Sequence, residues 1–394
     1  MNVLHLASWY PIAEKPNFGT FIRAHATAIA NSQEAVQDHH LLIAIVCRPE
    51  CDGQPKGNTI RHEQHGRLNV TVLEVRSRLW KLYQHWPYWF RLQAERLLKA
   101  NHLGFRADLI HAHVAFPVGV VAQAMSRKWK VLFLISEHWS GAVRQSQQPI
   151  LGGLTRTAYQ QAGAITMVSA LLLKDLKNAG LVGQKKPESL VLIPNVLEGD
   201  FRYLGKANSK RTFLVLMNLS SPKRPDLIIA AVASLRKDWP KDAEVLIVGK
   251  GPYLDGLQTE VDQLHLPIRF VDTVAKEQVP SLMQNATALW HPTDYETFGL
   301  VVIEAMACGT PVLCSDFPSL AALLSDIPFS SGTRLVKNTV DDWTKAIKAH
   351  LEMDFGIEQQ KQLLQIADAT QAKYSPARVA QQFYEVYRQI SSPK

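Results

Sequence analysis

The chain has 394 residues, of which 46% are hydrophobic and 20% are charged, and its formal net charge is +8. This composition excludes a low-complexity chain or a disulfide-rich scaffold, and the length exceeds what one hydrophobic core usually supports, so we expect two domains. The basic balance suits an anionic partner, namely nucleic acid, a membrane surface or phosphorylated small molecules.

The beginning of the sequence and its cysteines bear on location. Residues 1–8 carry no basic region and too short an apolar run for a secretory signal peptide. No stretch approaches the ~20 apolar residues of a membrane-spanning helix. We therefore expect a cytoplasmic protein. Cys47, Cys51, Cys308 and Cys314 lack metal-ligand spacing, which favours structural thiols in a reducing compartment over disulfides.

Short apolar runs alternate with amphipathic runs along most of the chain, a pattern that predicts strands alternating with helices. A first series of predicted strands comprises residues 3–7, 41–47, 70–75, 109–113, 131–135, 164–168 and 190–193. A second series comprises residues 212–217, 244–248, 268–271, 286–291 and 311–315. Such alternation implies parallel sheets with helices on both faces, and two series imply two Rossmann-like α/β domains.

The boundary between the two series should fall within residues 194–210, where a strand ends at Pro194 and a polar stretch follows. We assign residues 1–200 to an N-terminal domain and residues 201–374 to a C-terminal domain. The last segment, 375–394, reads as a helix that begins at a Ser-Pro-Ala sequence, and proline suits the first turn of a helix.

Two glutamates separated by seven residues are the most informative feature. Glu296 follows the predicted strand 286–291 and falls in a loop, whereas Glu304 lies in an apolar helical run that stops at Gly309. Open parallel sheets bind ligands at the carboxyl ends of their strands, which is where Glu296 would lie. An ionised carboxylate in apolar surroundings is costly unless something satisfies it. A sugar or a ribose diol would satisfy Glu304.

This segment resembles the Glu-x7-Glu signature of the family 4 retaining glycosyltransferases, also called glycosyl transferases group 1. The resemblance implies the GT-B fold, with two Rossmann-like domains whose parallel sheets face each other across a cleft. It also implies a C-terminal helix that crosses back to the N-terminal, acceptor-binding domain. Glu296 would then contact the hydroxyls of the donor sugar, and Glu304 would bind the ribose. The competing interpretation is a buried helix whose glutamates are solvated or paired by chance.

A basic loop at residues 216–226 resembles the family's diphosphate-binding Arg-x4-Lys pair. Lys223 matches the lysine, but Asn218 stands at the arginine position. Losing a guanidinium removes a bidentate phosphate contact. Arg224 or Lys250 would be the replacement. Fixed positive charge matters because the departing nucleoside diphosphate gains negative charge in the transition state.

Backbone N–H groups are the other expected donor-site contacts. The helix that begins around Phe298, Gly299 and Leu300 would direct its N-terminus at the diphosphate. Gly249 resembles the family's glycine turn beneath the nucleotide, and Gly19 resembles its first glycine loop, where backbone approaches the diphosphate. We expect no cofactor beyond a UDP- or GDP-linked donor sugar. Because no Asp-x-Asp signature occurs, we also expect a metal-independent enzyme.

His138 follows the predicted strand 131–135, where the family places a histidine that faces the sugar. The resemblance therefore makes His138 a candidate catalytic residue together with Glu296 and Lys223. The alternative is a structural or merely exposed histidine. His113 would line the acceptor pocket, while His111 suits the core.

Residues 76–99 interleave six basic residues with six aromatic residues against a single acid, Glu95. Two interpretations stay open: a segment that lies on an anionic membrane and brings a lipid-linked acceptor to the enzyme, or an amphipathic helix packed on the sheet. Single-stranded nucleic-acid surfaces share this composition. No nucleic-acid motif accompanies it, so we expect no nucleic-acid partner.

The sequence thus predicts a cytoplasmic, peripherally membrane-associated retaining glycosyltransferase. It would move a sugar from a nucleotide-diphosphate donor to a glycan or lipid-linked acceptor in the synthesis of cell-surface polysaccharide or glycolipid. Two alternatives remain. One is a GT-B nucleotide-sugar epimerase, which would act without an acceptor. The other is a non-catalytic sugar- or nucleotide-binding protein, which Asn218 favours.

Overall fold

Two sheets, each in its own unit, organise the chain in the computed structural model, which describes residues 1–50, 57–205, 211–325 and 332–391. The first compact unit contains Met1–Val196 and the segment that begins at Pro376, and the second contains Leu197–Ser375. Part of the polar stretch predicted to separate the domains, residues 206–210, lies outside the described residues, as does Cys51.

The first unit contains an eight-stranded sheet. Its strands are β1 (Asn2–Ala7), β2 (His39–Arg48), β3 (Gly57–His65), β4 (Leu68–Arg76), β5 (Leu109–His113), β6 (Leu132–Glu137), β7 (Ala164–Met167) and β8 (Leu190–Leu192). They follow the order β3-β4-β2-β1-β5-β6-β7-β8. All neighbouring pairs are parallel except β3 and β4.

The second unit contains a six-stranded parallel sheet. Its strands are β9 (Arg211–Leu216), β10 (Ala243–Val248), β11 (Ile268–Val271), β12 (Ala288–His291), β13 (Val312–Ser315) and β14 (Arg334–Val336). They follow the order β11-β10-β9-β12-β13-β14, which is the 3-2-1-4-5-6 order of a Rossmann fold. The prediction of two Rossmann-like sheets is therefore confirmed.

Fifteen α-helices connect these strands within the described ranges. They are α1 (Thr20–Asn31), α2 (Trp80–Gln84), α3 (Pro87–Asn101), α4 (Val120–Trp129), α5 (Ala142–Ser146), α6 (Pro149–Gln161), α7 (Ala170–Asn178), α8 (Pro225–Ser234), α9 (Leu254–Leu264), α10 (Val279–Asn285), α11 (Leu300–Ala307), α12 (Pro318–Ser325), α13 (Val340–Leu351), α14 (Ile357–Tyr374) and α15 (Pro376–Ser391). As predicted, the last helix begins with proline.

Two strands depart from the prediction. β3 is antiparallel to β4 and is exposed along most of its length, so the expectation of a purely parallel first sheet is wrong at this edge. Its sequence lacks a continuous apolar run because an edge strand in contact with water does not need one. The other strand, β14, has only three residues and was not predicted.

Helix α15 belongs to the core of the first unit. Its buried residues Val379, Phe383 and Tyr387 recur every four positions, so they share one face of the helix. They pack in one cluster with Leu109 of β5 and Leu134 of β6. The end of the chain therefore completes the hydrophobic layer over the first sheet.

The strand orders fix where polar residues can converge. In the first sheet the chain steps from β1 towards β2 and later returns to the other side of β1 with β5. In the second sheet β9 is flanked in the same way by β10 and β12. Helices that leave two such strands in opposite directions open a crevice at their carboxyl ends. Each unit thus has one crevice of this kind.

Within the described ranges, no helix combines the length and the apolar character needed to cross a bilayer. Cys47, Cys308 and Cys314 are buried, and no disulfide joins any two of these three residues.

Candidate active site

The crevice of the second unit brings together three charged or polar side chains from two strand ends. Lys223, in the loop after β9, directs Nζ to within 2.7 Å of Glu296 Oε2. His291, the last residue of β12, lies between them, with Nε2 3.2 Å from Lys223 Nζ and 3.1 Å from Glu296 Oε2. The structure therefore joins two of the predicted catalytic residues to a histidine that the sequence did not single out.

The electrostatics of this group keep Glu296 ionised. Burial alone would raise the pKa of Glu296, but the hydrogen bond from His291 and the charge of Lys223 outweigh burial and hold that pKa well below its usual value. Burial, and then the charge of Lys223, lower the pKa of His291, so its imidazole is neutral. A carboxylate and an ammonium that are each about one-sixth exposed thus neutralise one another at the sheet edge.

Backbone contacts hold this ion pair at the crevice. Lys223 forms a β-bridge with Thr293. The Thr293 N–H donates to Ser315 Oγ (2.7 Å), and the Ser315 hydroxyl donates to Asn338 Oδ1 (2.6 Å). The Ser319 hydroxyl donates to the main-chain carbonyl of Glu296 (2.5 Å). The loops after β9, β12 and β13 are therefore tied together before any ligand arrives.

Glu304 lies on α11, whose N-terminus follows the Glu296 loop. Gly299 is the N-cap of this helix, with φ of 99°, and a Cβ there would come within 2.7 Å of the Leu320 side chain. Phe298 is buried just before it. Burial raises the pKa of the Glu304 carboxyl to about 7, although part of the residue remains accessible. In the described part of the chain, no residue donates a hydrogen bond to this carboxyl, so it has acceptor capacity to offer a ligand.

Gly249 packs closely against the start of the loop that follows β9 and carries Lys223. Its φ is 149°, and a Cβ at this position would come within 1.9 Å of the Met217 carbonyl oxygen. The Leu219 N–H donates to the Lys250 carbonyl (2.8 Å), and a Cβ at Gly251 would come within 2.2 Å of the Leu219 carbonyl oxygen. The turn that follows β10 therefore packs main chain against main chain on the loop that follows β9.

The proposed replacements for the missing arginine are engaged elsewhere. Arg224 donates from Nη2 to Asp226 (2.7 Å) and from Nη1 to Asp294 (3.3 Å), and these carboxylates raise the pKa of its guanidinium. Lys250 pairs with Asp272 at 2.7 Å. Arg224 and Lys223 both line a cleft of about 550 Å³, but the hydrogen bonds of the Arg224 guanidinium go to Asp226 and Asp294. Asn218 is exposed at the end of β9.

The crevice of the first unit contains the predicted glycine and histidine. Gly19 is the N-cap of α1, with φ of 72°, and a Cβ there would lie 2.6 Å from the main chain of Trp9. His138 follows β6, and its backbone N–H donates to Glu137 Oε1 (3.0 Å). The same buried carboxylate accepts from Trp139 N, from Ala115 N and from the Tyr159 hydroxyl. Glu137 therefore fixes the backbone that carries His138.

His138 belongs to a buried group of histidines that sequence reasoning did not find. Ring nitrogens of His25, His113 and His138 lie within 4.8 Å of one another, and so do those of His5, His111 and His113. The sequence signal was present, because His5, His111 and His113 all lie on β1 and β5, the two strands that flank the crevice.

Residues 76–99 combine features of both interpretations. One face of α3 is buried through Phe90, Ala94 and Leu97, as expected of a packed amphipathic helix. Its N-terminal end and α2 instead expose apolar side chains beside Arg78 and Lys81. The exposed apolar residues are Leu79, Leu82, Trp86, Tyr88 and Leu92. We call these seven residues the 78–92 surface.

The two sheets, each with polar residues at its switch point, define a two-unit α/β protein of the Rossmann-like class. Two family models match it in succession: Glycosyltransferase Family 4 over residues 23–198, and Glycosyl transferases group 1 over residues 198–369. The chain belongs to the family 4 glycosyltransferases, as the Glu296–Glu304 segment predicted.

Several proteins are similar to this chain. N-acetyl-alpha-D-glucosaminyl L-malate synthase of Bacillus anthracis is 24% identical, over 62% of this chain and 65% of the relative. Alpha-monoglucosyldiacylglycerol synthase of Streptococcus pneumoniae is 23% identical, over 58% of this chain and 56% of the relative. The matches therefore span less than two thirds of these relatives. Anabaena HepE, solved in complex with UDP and glucose, superposes with a TM-score of 0.69 at 17% identity, over 99% of this chain and 100% of that chain. The GT-B fold is thereby confirmed.

The different surroundings of Gly249 and Gly256 predict different effects of replacing each glycine by alanine. Gly249→Ala should destabilise the protein by about 1–3 kcal/mol, because the new Cβ would meet a backbone oxygen in a left-handed conformation. Gly256→Ala, on α9 with open space around it, should be neutral or stabilising by up to about 1 kcal/mol. Urea unfolding of both variants checks this. Equal stability of the two variants would contradict the close approach.

Proposed function

We propose that this protein is a retaining glycosyltransferase that moves a sugar from a nucleoside-diphosphate donor, linked to UDP or GDP, to a glycan or lipid-linked acceptor. The observation that carries the proposal is the contact of Lys223 with Glu296 and His291 at the crevice of the second sheet. Family membership and the likeness to a structure that contains UDP support it. The predicted donor contacts at Gly19, Gly249, Phe298, Gly299 and Leu300 remain part of this proposal.

In this reaction Lys223 would bind the donor diphosphate. As the bond between the sugar and the diphosphate breaks, negative charge grows on the leaving group, and a fixed ammonium stabilises it. The N–H groups at the start of α11 would add to this stabilisation. Glu296, released from Lys223, would accept hydrogen bonds from the sugar hydroxyls, and Glu304 would accept them from the ribose diol.

Retention would follow from attack on the same face of the sugar as the departing diphosphate. The acceptor hydroxyl forms the new bond to the anomeric carbon, and its proton passes to the leaving phosphate oxygen. No protein nucleophile and no catalytic metal are then required. His138 would orient a sugar hydroxyl from the first unit.

The acceptor is proposed to be lipid-linked on the strength of the 78–92 surface. Leu82 and Trp86 are 54% and 44% exposed beside Arg78 and Lys81, which combines an apolar and a cationic character. Aromatic and apolar side chains enter the headgroup region of a bilayer, while lysine and arginine are attracted to anionic lipids. One relative is, by name, a glucosyldiacylglycerol synthase. The protein would therefore act on the cytoplasmic face of an anionic membrane.

Replacing Lys223 tests the enzymatic proposal. In Lys223→Met, kcat/KM for release of nucleoside diphosphate from the preferred UDP- or GDP-sugar should fall by ~10²-fold or more, since the leaving group loses its fixed charge. Lys237→Met, an exposed lysine of the same unit, should retain kcat/KM within a factor of about two. Unchanged turnover in Lys223→Met would sink the donor-site assignment.

Two further measurements distinguish the alternative functions. A nucleotide-sugar epimerase would change the configuration of the donor sugar without an acceptor, which NMR of the product detects. A binding protein would be stabilised by a nucleotide sugar in a thermal-shift panel without releasing nucleoside diphosphate.

The raised pKa of Glu304 predicts pH-dependent nucleotide binding. A carboxyl with a pKa of about 7 must lose its proton to accept hydrogen bonds from a ribose diol, so affinity should fall as the pH falls. Between pH 8 and pH 6 the loss should reach about tenfold. Calorimetric titration of the preferred nucleoside diphosphate into wild type and Glu304→Gln checks this. Glu304→Gln lacks the titrating carboxyl, so its affinity changes with pH only through the nucleotide and the rest of the protein. If the affinity of both proteins depends on pH in the same way, Glu304 does not bind the ribose.

The 78–92 surface predicts selective binding to anionic vesicles. Cosedimentation with phosphatidylglycerol vesicles should exceed that with phosphatidylcholine vesicles and should weaken at high salt. The double variant Leu82→Ser/Trp86→Ser should bind at least about tenfold more weakly, because two apolar side chains are lost. Leu103→Ser, an 89% exposed residue just beyond the other end of α3, is the matched control. Equal binding by both variants would show that this surface is not the membrane contact.

A further inference from the structure

Among the residues that the structure describes, four nitrogens of the buried histidines in the first unit lack a hydrogen-bond partner. His25 lies on α1, His113 ends β5, and His138 follows β6. Nδ1 of His25, Nδ1 of His113 and both ring nitrogens of His138 are buried without a hydrogen-bond partner. His25 and His113 are 1% and 0% exposed, while part of His138 reaches solvent. A buried acceptor without a hydrogen bond costs free energy, so a ligand that bonds to these nitrogens would stabilise the cluster.

The tautomer of His25 follows from its one hydrogen bond. Its Nε2 lies 3.0 Å from the Pro194 carbonyl oxygen. A carbonyl can only accept, so Nε2 carries the proton and the unpartnered Nδ1 carries a lone pair. Burial lowers the pKa of His25 to about 4, which keeps the imidazole neutral.

The tautomer of His113 is set from Asp38, through a directional chain of hydrogen bonds. The Tyr384 hydroxyl donates to Asp38 Oδ2 (2.8 Å), so its oxygen accepts from His40 Nε2–H (3.0 Å). His40 Nδ1 then accepts from His5 Nε2–H (3.2 Å). His5 Nδ1 in turn accepts from His113 Nε2–H (3.3 Å). Nδ1 of His113 therefore carries a lone pair, and the Asp38 carboxylate, four hydrogen bonds away, determines this tautomer.

His138 is the third member of the cluster and is partly buried. Burial lowers the pKa of His138 well below its usual value, and the adjacent Asn195 side chain opposes this shift. Asn195 Oδ1 is itself buried without a hydrogen-bond partner. It is placed to accept the one ring N–H that a neutral His138 carries, which would turn the other nitrogen towards His25 and His113.

The neighbouring group of His5, His111 and His113 is less suitable. Both ring nitrogens of His5 are used within the chain of hydrogen bonds. Those of His111 bond to Tyr387 (2.7 Å) and Ser136 (2.6 Å). A ligand there would have to break two or more buried hydrogen bonds.

We propose that His25 Nδ1, His113 Nδ1 and one nitrogen of His138 form a binding site for a divalent transition metal of the zinc type. Three neutral imidazoles, of which His25 and His113 are each held by an acceptor on the other nitrogen, are the kind of ligand that such metals take in proteins. In a tetrahedral site the nitrogens would draw together to about 3.4 Å.

This site would regulate the enzyme and not serve its chemistry. A metal bound by His138 withdraws that side chain from the sugar contact proposed above, so zinc should inhibit transfer and a chelator should restore it. Metal binding itself requires no transfer reaction, so the inference can fail or succeed independently of the proposed function.

Cobalt titration of the full-length, chelator-treated protein tests the site. Co²⁺ should bind with one equivalent per chain and give the visible spectrum of a nitrogen-ligated, four-coordinate ion, and X-ray absorption should show three imidazoles. His113→Gln should lower the affinity by about 100-fold or more. Tyr384→Phe, which removes the hydroxyl that links Asp38 to His40, should lower the affinity by ~10- to 100-fold.

The matched control is Tyr387→Phe, which loses an equivalent buried hydroxyl from the same helix but one bonded to His111. Its cobalt affinity should stay within about twofold of wild type. Circular dichroism reports whether each variant is folded. Substoichiometric cobalt, a spectrum without imidazole ligands, or equal affinities for the Tyr384 and Tyr387 variants would overturn the proposal.

Discussion

The ion pair between Lys223 and Glu296 is the interaction on which the candidate donor site depends. Two charges that are largely withdrawn from water are costly alone, and each is tolerated here because the other is within hydrogen-bonding distance. His291 shares the same carboxylate oxygen without adding charge, because burial and the nearby ammonium keep its imidazole neutral. The loops after β9 and β12 are consequently held in place by electrostatics as well as by the β-bridge between Lys223 and Thr293. A ligand that offers its own negative charge can replace Glu296 as the partner of Lys223 without leaving a buried cation unpaired.

In the crevice of the first unit, hydrogen bonds between uncharged side chains, and not an ion pair, stabilise the buried polar groups. Its histidines are neutral, and their hydrogen bonds run in one direction from the Asp38 carboxylate through Tyr384 to His113. Helix α15 supplies Tyr384, so the end of the chain decides which nitrogen of His113 carries the proton. The second crevice is thus organised by opposite charges, and the first by the orientation of uncharged donors and acceptors. Both lie at the switch point of a sheet, where the topology leaves the carboxyl ends of neighbouring strands uncovered.

The sequence predicted the strands of both sheets well wherever they are buried on both faces, because such strands form short, continuous apolar runs. It missed β3, whose exposed edge position removes that signal, and β14, which is too short to produce one.

The pattern of the surrounding residues correctly predicted that Glu296 lies in a loop and that Glu304 lies in a helix. His291 could not be found in this way, since a histidine that ends an apolar strand looks like part of the core until the strand order places it beside Lys223. The ion pairs of Arg224 with Asp294 and of Lys250 with Asp272 were equally out of reach, because these two aspartates lie on loops whose proximity only the fold determines. Asp226, the other partner of Arg224, is a local one in the first turn of α8.

The substitution at position 218 acquires a physical meaning from these contacts. With Asn218 exposed and Arg224 paired to two aspartates, the cation that remains closest to Glu296 is Lys223. If Lys223 receives the diphosphate, as we propose, Glu296 is released only when that occurs, and only then can its carboxylate accept a hydrogen bond from the sugar. Diphosphate binding and sugar recognition would therefore be coupled through one shared contact, and by linkage each must strengthen the other equally. A separate arginine for the diphosphate would weaken this coupling, because Lys223 could then stay with Glu296 while the donor binds.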